Sequence, residues 1–223
     1  MSSRSAIRLS LLKHAKEICH AVAPMQSYPQ SMPLFTEGSL PQEIYFIERG
    51  LVKLATSNEG GRDLIVGLRR SECFLGAESA VLQRPHPVSA ITLTPCVLCR
   101  IPTRTFLGIV DADPEFARYL RREQSCELHD QVGHIVGLGS SSARLRLERL
   151  LAELIGAADI RNLSSEVRLP ALLKQREIAE LIAVTPQHLS RILKQMERDG
   201  SLRREKGRLI VREPNRIGRH QPD

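Results

Sequence analysis

The segment between Leu34 and about Ile109 constrains the fold most, because short apolar runs alternate there with turn-forming residues. The separators contain glycine, which accepts a positive φ, or proline, which fixes φ. Such spacing is typical of short strands and predicts an antiparallel barrel or sandwich. The predicted strands are Ile44–Ile47, Leu51–Ala55, Leu64–Leu68, Val88–Leu93 and Val97–Ile101.

The pattern changes at Asp113, where a long helix is predicted to begin. Asp113 is a favourable N-cap and Pro114 suits the first helical position. Low helix propensity at Gly137–Ser142 predicts a hinge and a domain boundary near residue 140. A helix packed on its own domain and a helix paired with a second helix would both fit the periodicity. The apolar positions with the four-three spacing of helix pairing are Leu128, Val132, Ile135 and Gly139.

Charge is distributed unevenly along the 223 residues. The net charge of +7 divides into +1 for residues 1–143 and +6 for residues 144–223. A basic C-terminal third is typical of a part that binds a polyanion, although basic tails are also common on proteins that bind nothing. No run approaches the roughly 18 apolar residues of a membrane helix, and Met1–Arg8 lacks the layout of a signal peptide. We therefore expect a cytoplasmic protein without membrane contact.

The stretch from Arg176 to Gly200 predicts two short helices joined by a tight turn. Thr185 can cap the second helix and Pro186 suits its first position. Its buried face follows i, i+3, i+4, i+7 spacing and comprises Leu189, Ile192, Leu193 and Met196. The opposite face can hydrogen-bond base edges and phosphates and comprises Gln187, His188, Ser190, Arg191 and Lys194. A helical hairpin with a solvated outer face is the alternative.

Two strand-like runs follow in Ser201–Arg212, on either side of Lys206-Gly207. The runs carry basic residues placed to reach phosphate: Arg203, Arg204, Lys206 and Arg208. Two strands directly after the second helix predict a winged helix-turn-helix.

These motifs resemble the family of the cyclic-AMP receptor protein and FNR, bacterial transcription regulators, from about Leu34 to Arg212. The N-terminal match is FTEGSLPQEIYFIERGLVKLATSNEGGRDLIVGL followed by ECFLGAES, and the C-terminal match is EIAELIAVTPQHLSRILKQMERDG. The resemblance implies an α+β fold: an N-terminal β-roll (a cyclic-nucleotide-binding-like jelly roll), a long dimerisation helix and a C-terminal winged helix-turn-helix. We expect a sensor domain in residues 1–110, the dimerisation helix in 111–139 and the DNA-binding domain in 140–223.

The resemblance also implies partners and DNA contacts. The partners are a second copy of the chain, near-palindromic double-stranded DNA and RNA polymerase. Gln187, Ser190 and Arg191 fall where the family places base contacts, and the Arg191 guanidinium can grip guanine O6 and N7. The expected phosphate contacts are Thr185, His188, Lys194, Lys206 and Arg208.

Two positions depart from the family pattern near the DNA-reading helix. Gln187 stands where many members have glutamate, so the half-site is expected to differ from familiar ones. Ala183 stands where the turn often has glycine, so its backbone must avoid a positive φ or accept strain. We expect a slightly altered turn in an intact motif.

The effector pocket is expected at Gly76, Ala77, Glu78, Val88 and Ser89. Cyclic-AMP-binding members have glutamate directly after the glycine and an Arg-Ser pair later, whereas Ala77 and Val88-Ser89 stand here. A buried phosphate without its cation is strongly unfavourable, which argues against cyclic AMP. Arg84 could substitute for the cation only if the alignment slips. The effector stays unidentified.

Five scattered cysteines, an odd number, predict reduced thiols. An iron–sulfur cluster needs several close thiolates, but only Cys19 lies near the N-terminus. Cys96 and Cys99 fall on a predicted strand, where residues three apart point to opposite faces, so a shared metal is not expected. Cys73 is a candidate haem ligand or redox thiol, although a cysteine in an apolar run is usually a small core residue.

The sequence contains no catalytic motif, so we expect no enzyme. His129 and His134 do not share a helix face and are expected on the surface. The prediction is a homodimeric DNA-binding transcription regulator controlled allosterically through the β-roll. The alternatives are an effector-independent DNA binder, a haem or redox sensor of the same family, and a regulatory module that does not bind DNA.

Overall fold

The computed structural model describes residues 3–57, 63–155, 166–169, 173–205 and 208–212. The chain divides into two compact units, Met1–Asp130 and Gln131–Asp223. Among the described residues, no helix has the length and apolar character required to cross a membrane.

The first unit contains two four-stranded antiparallel sheets and flanking helices. One sheet has the order β1-β8-β3-β6 and the other β2-β7-β4-β5. The strands are β1 (Met25–Tyr28), β2 (Pro33–Phe35), β3 (Glu43–Arg49), β4 (Val52–Ser57), β5 (Asp63–Arg69), β6 (Phe74–Leu75), β7 (Ser89–Thr92) and β8 (Cys96–Pro102). The helices are α1 (Ser3–Val22), α2 (Ala77–Leu82), α3 (Thr103–Ala112) and the first part of α4 (Pro114–Ser140).

All five predicted strands are confirmed, as β3, β4, β5, β7 and β8. The sequence did not predict β1, β2 and β6, which are only two to four residues long. Runs this short carry little periodicity, and their pairing partners lie far away in the sequence. Met25 pairs with Cys99, for example, and Tyr45 pairs with Leu75.

The core of the first unit has two layers. Between the sheets, Tyr45, Ile47 and Leu98 pack against Val52 and Ala90. The other face of the β3-β8 sheet is covered by helices, and it contains Ile44, Phe46 and Ile101 packed with Phe106, Phe116 and Tyr119. Cys96 belongs to the layer between the sheets and Cys99 to the layer under the helices. The prediction that these two cysteines point to opposite faces is confirmed.

Helix α1 is a feature that the sequence reasoning did not predict. It buries Leu11, Leu12, Ala15 and Cys19 in the layer under the helices. The Cys99 thiol donates to the carbonyl oxygen of Cys19 at 3.1 Å. This helix therefore depends on its tertiary partner, because most of its other described side chains are exposed and make no packing contribution.

Helix α4 begins as the sequence predicts. The Phe116 amide donates to Asp113 Oδ1 at 2.8 Å, which makes Asp113 the N-cap. This bond is the main reason that the pKa of Asp113 is lowered. The helix continues through Gly137 and Gly139 to Ser140, and the interruption before the next helix consists of Ser141 and Ser142 alone.

The described part of the second unit combines helices with a small sheet, and α7 contacts β10. It contains the end of α4, α5 (Ala143–Ile155), β9 (Val167–Arg168), α6 (Gln175–Leu181), α7 (Pro186–Arg198), β10 (Leu202–Glu205) and β11 (Arg208–Val211). The sheet has the order β10-β11-β9. Its buried side chains include Leu147, Leu151, Ile182, Leu193 and Val211.

Candidate DNA-binding site

Helices α6 and α7 are joined by a short turn that is closed by a backbone hydrogen bond to α6. The Val184 amide donates to the carbonyl oxygen of Ala179 at 2.9 Å, and Ala179 is buried. Ala183 takes a φ of +52°, the left-handed conformation in which L side chains are strained. The turn therefore keeps the geometry of a glycine turn with an alanine in it, and Ala183 accepts the strain.

The start of α7 is fixed by Thr185. Its Oγ1 accepts a hydrogen bond from the His188 amide at 3.2 Å, and Pro186 occupies the first turn. The predicted cap is confirmed. The predicted inner face is confirmed as well, since Leu189, Ile192, Leu193 and Met196 are all buried. A helix anchored by one face and capped at its start presents its other face in a fixed orientation.

The outer face of α7 carries the predicted DNA-reading residues. Gln187, His188, Arg191 and Lys194 are exposed, and Ser190 is half-buried. Thr185 is exposed beside them, although its hydroxyl oxygen already serves as the cap. Gln187, Ser190 and Arg191 lie in the first half of the helix, which is the part that a helix-turn-helix directs at base edges.

The wing, formed by strands β10 and β11 after α7, contributes basic side chains with defined partners. Arg204 places its guanidinium on the Glu197 carboxylate with two hydrogen bonds, of 2.6 and 2.7 Å. These bonds lower the pKa of Glu197 and tie β10 to α7. Arg203 is exposed and pairs with Glu166 at 3.2 Å. Lys206 and the side chain of Arg208 lie outside the described residues, although the Arg208 backbone begins β11.

The sequence reasoning assigned Arg204 to phosphate and missed its role in joining the wing to α7. The signal was available in the opposite charges of Glu197 and Arg204 on either side of a short turn. Whether these two charges meet depends on how β10 packs against α7, and the helical periodicity of the sequence carries no information about that packing.

The segment expected to form the effector pocket has a defined local structure. Gly76 has a φ of +80° and precedes α2, in which Ala77 is buried and Glu78 is exposed. Ser89 Oγ accepts a hydrogen bond from the Glu37 amide at 2.9 Å, and Val88 is half-buried. An open cavity of about 440 Å³ lies beside Gly76, and it is lined by Phe35, Glu43, Tyr45, His86 and neighbouring residues of β2 and the β2–β3 loop.

The cysteines differ in exposure. Cys19, Cys96 and Cys99 are buried, Cys73 is half-buried and Cys126 is exposed. Burial raises the pKa of the Cys73 and Cys96 thiols, which disfavours the thiolate that binds metals. No group of three His, Cys, Asp or Glu residues suited to a metal ion occurs in the part of the chain that the structure describes. His129 and His134 are exposed, as predicted.

A β-roll followed by a long helix and a winged helix-turn-helix defines a DNA-binding transcription regulator. Residues 25–113 match the cyclic nucleotide-binding domain and residues 145–219 match the Crp-like helix-turn-helix domain. The chain belongs to the family of the cyclic-AMP receptor protein and FNR, as the sequence motifs indicated. The predicted fold class is confirmed with it.

Individual relatives share the same arrangement. Nitrogen fixation regulation protein FixK of Bradyrhizobium diazoefficiens is 26% identical over 188 residues, 82% of this chain and 76% of the relative. The cyclic AMP receptor protein of Thermus thermophilus is 24% identical over 83% of this chain and 82% of its own length. The solved structure of FixK2 from Bradyrhizobium japonicum has a TM-score of 0.72 at 22% identity, covering 87% of this chain and 94% of that one. These relatives are transcription regulators, in agreement with the expectation that this chain is not an enzyme.

Proposed function

We propose that this chain binds a near-palindromic site in double-stranded DNA as a homodimer and regulates transcription in response to a signal received by its β-roll. The observation that carries the proposal is the outer face of α7. The inner face of α7 is anchored by four buried side chains, while its outer face exposes Gln187, His188, Arg191 and Lys194. The domain matched by residues 145–219 supports the assignment to DNA.

The roles of the side chains follow from their chemistry. Arg191 is proposed to donate two hydrogen bonds to guanine, which is worth about 1–3 kcal/mol of discrimination against another base. Gln187 both donates and accepts, which suits adenine, and Ser190 adds a short hydroxyl contact. Thr185, His188 and Lys194 are proposed to hold phosphates, with Lys206 and Arg208 completing the contact from the wing.

An apolar row on α4 supports the homodimer. Four side chains of the row are more than half exposed: Leu128 at 62%, Val132 at 52%, Ile135 at 67% and Val136 at 60%. A row of this kind on a long helix is typical of an interface. A second copy of the same helix would cover it, and two recognition helices about 34 Å apart would then reach successive turns of DNA.

The proposal also includes an effector that binds the β-roll and a contact with RNA polymerase. Ala77 and Val88 stand where cyclic-AMP-binding members have a glutamate and an arginine, so a phosphate would lack its cation. Proteins with the same fold are named for different signals, including a c-di-GMP responsive regulator from Xanthomonas campestris with a TM-score of 0.71. We therefore propose an effector other than cyclic AMP, and RNA polymerase as the protein partner.

Selection from random oligonucleotides tests the proposal. A two-fold-symmetric sequence is expected to be enriched, and light scattering should give a dimer. Arg191→Ala should weaken binding to the selected site about 10- to 100-fold, which corresponds to the loss of one bidentate base contact. Arg104→Ala, which removes the same charge from an exposed position on α3, should bind as wild type. A monomer, or equal affinity for selected and scrambled DNA at fixed salt, would contradict the proposal.

A further inference from the structure

Arg146, in the first turns of α5, bridges two parts of the second unit. Its Nε donates to the carbonyl oxygen of Ile182 at 2.8 Å, and its Nη1 donates to that of Ser141 at 2.7 Å. Ile182 immediately precedes the strained residue Ala183 in the turn leading to α7. Ser141 belongs to the two-residue connection that follows α4. One guanidinium therefore joins the end of α4 to the turn that starts the DNA-reading helix.

Arg144, two residues earlier, holds the other end of α7. Its Nη1 donates to Asp199 Oδ2 at 2.5 Å, and its Nη2 donates to Ser201 Oγ at 3.4 Å. Asp199 is the C-cap residue of α7, and Ser201 directly precedes the first strand of the wing. The Arg144 Nε is itself held by the buried carboxylate of Glu148 at 3.0 Å.

The geometry of α5 explains how Arg144 and Arg146, only two residues apart, contact residues on either side of α7 in the sequence. Residues two apart on an α-helix point in directions about 200° apart, because each residue turns the helix by about 100°. The 13 residues of α7 span roughly 20 Å. Arg144 and Arg146 therefore leave α5 in different directions, and their guanidinium groups contact Asp199 after the end of α7 and Ile182 in the α6–α7 turn, respectively.

We propose that Arg144 and Arg146 are positioning residues that fix the turn before the recognition helix α7 and the C-terminal end of α7 to the start of α5, so that the orientation of α7 follows the end of α4. Only Ser141 and Ser142 separate α4 from α5, and Ser142 caps α5 by accepting the Leu145 amide at 3.2 Å. A displacement of the last turn of α4 is thus transmitted to the α6–α7 turn and to the C-terminal end of α7. This inference rests on the proposed DNA-binding function of α7.

Arginine is required at these positions because each guanidinium serves several acceptors in a fixed planar arrangement. A lysine has the same charge but concentrates it on one nitrogen, so it cannot hold separated acceptors in the same geometry. Arg149 is the matched control. It lies on α5, is exposed, and donates to Ser141 Oγ at 3.1 Å, on the connection before the helix-turn-helix.

The test compares Arg144→Gln, Arg146→Gln and Arg149→Gln in the full-length protein. Binding is measured to the selected site and to a scrambled duplex at one salt concentration. The first two variants should lose about tenfold in affinity for the selected site, the equivalent of 1.4 kcal/mol, and change less than twofold on the scrambled duplex. Arg149→Gln should behave as wild type on both.

A distance measurement separates positioning from stability. Spin labels are attached at Gln195→Cys on α7, with the exposed Cys126 and the half-buried Cys73 replaced by serine. Without DNA, the distribution of label distances in the dimer should broaden for Arg144→Gln and Arg146→Gln and stay unchanged for Arg149→Gln. Arg144→Lys and Arg146→Lys retain the charge and should broaden it in the same way if the glutamine variants do not fold.

The outcomes distinguish this inference from the function on which it rests. If wild type neither dimerises nor selects a DNA site, the proposed function fails. If wild type does both and the arginine variants match Arg149→Gln in affinity and distance distribution, only the positioning role is overturned. Equal losses on selected and scrambled DNA, in proportion to a lower melting temperature, would show a purely structural role and would overturn it too.

Discussion

The turn between α6 and α7 stores strain that a single substitution should release. Ala183 has a φ of +52° and its side chain is exposed. Its amide donates to the Glu180 carbonyl oxygen at 3.0 Å, so the backbone is held in this conformation by hydrogen bonds that do not depend on the side chain. Replacement by glycine removes the Cβ and leaves these bonds in place.

Two opposing contributions set the size of the effect. The left-handed conformation costs an L-residue about 1–2 kcal/mol, which Ala183→Gly removes. Glycine increases the conformational entropy of the unfolded chain, which costs about 0.4–1 kcal/mol. No packing is lost, because the methyl group is exposed. With the mid-range values of about 1.5 and 0.7 kcal/mol, the second unit should gain roughly 0.8 kcal/mol in its free energy of unfolding.

Amide hydrogen exchange followed by mass spectrometry measures this locally. Peptides from α6 and α7 should exchange about two- to fivefold more slowly in Ala183→Gly than in wild type. Peptides from β3 and β4 in the first unit serve as the internal control and should be unchanged. Ala183→Val should have the opposite sign, because a β-branched residue fits a positive φ poorly. Faster exchange of α6 and α7 in the glycine variant would refute the reasoning.

Two further predictions concern the first unit. A Cβ at Gly50, which has a φ of +113°, would lie 2.5 Å from Cys96 Sγ, so Gly50→Ala should lower the free energy of unfolding by about 2–4 kcal/mol. Gly38→Ala, with a φ of +79° but open space around the Cβ, should cost only about 1–2 kcal/mol; equal shifts of the urea midpoint would contradict the steric argument. His86 is buried against Phe35 with Nδ1 unpartnered, and burial lowers its pKa. The unfolded chain therefore binds the proton more readily than the folded chain. The free energy of unfolding should be highest above about pH 6.5 and should fall as the pH drops below that value. The urea midpoint of His86→Phe should fall less over the same pH range.

Local sequence signals predicted much of the candidate site. The Thr185 cap and the spacing from Leu189 to Met196 act within one or two helical turns, so they specify α7 wherever it packs. The same holds for Asp113 at the start of α4. The polar outer face of α7 could also be recognised, because a 3.6-residue period separates two faces without knowledge of any partner.

The sequence alone predicted five of the strands of the first unit, the start of α4 at Asp113 and the buried and exposed faces of α7, since these depend on interactions between near neighbours. The tertiary structure decided the burial of α1, the pairing of Arg204 with Glu197, and the contacts of Arg144 with Asp199 and of Arg146 with Ile182. Arg144 and Asp199 are 55 positions apart, and Cys19 and Cys99 are 80 apart. No local pattern encodes such pairs, because they form only when the intervening chain has folded and its loop-closure entropy has been offset by the rest of the core.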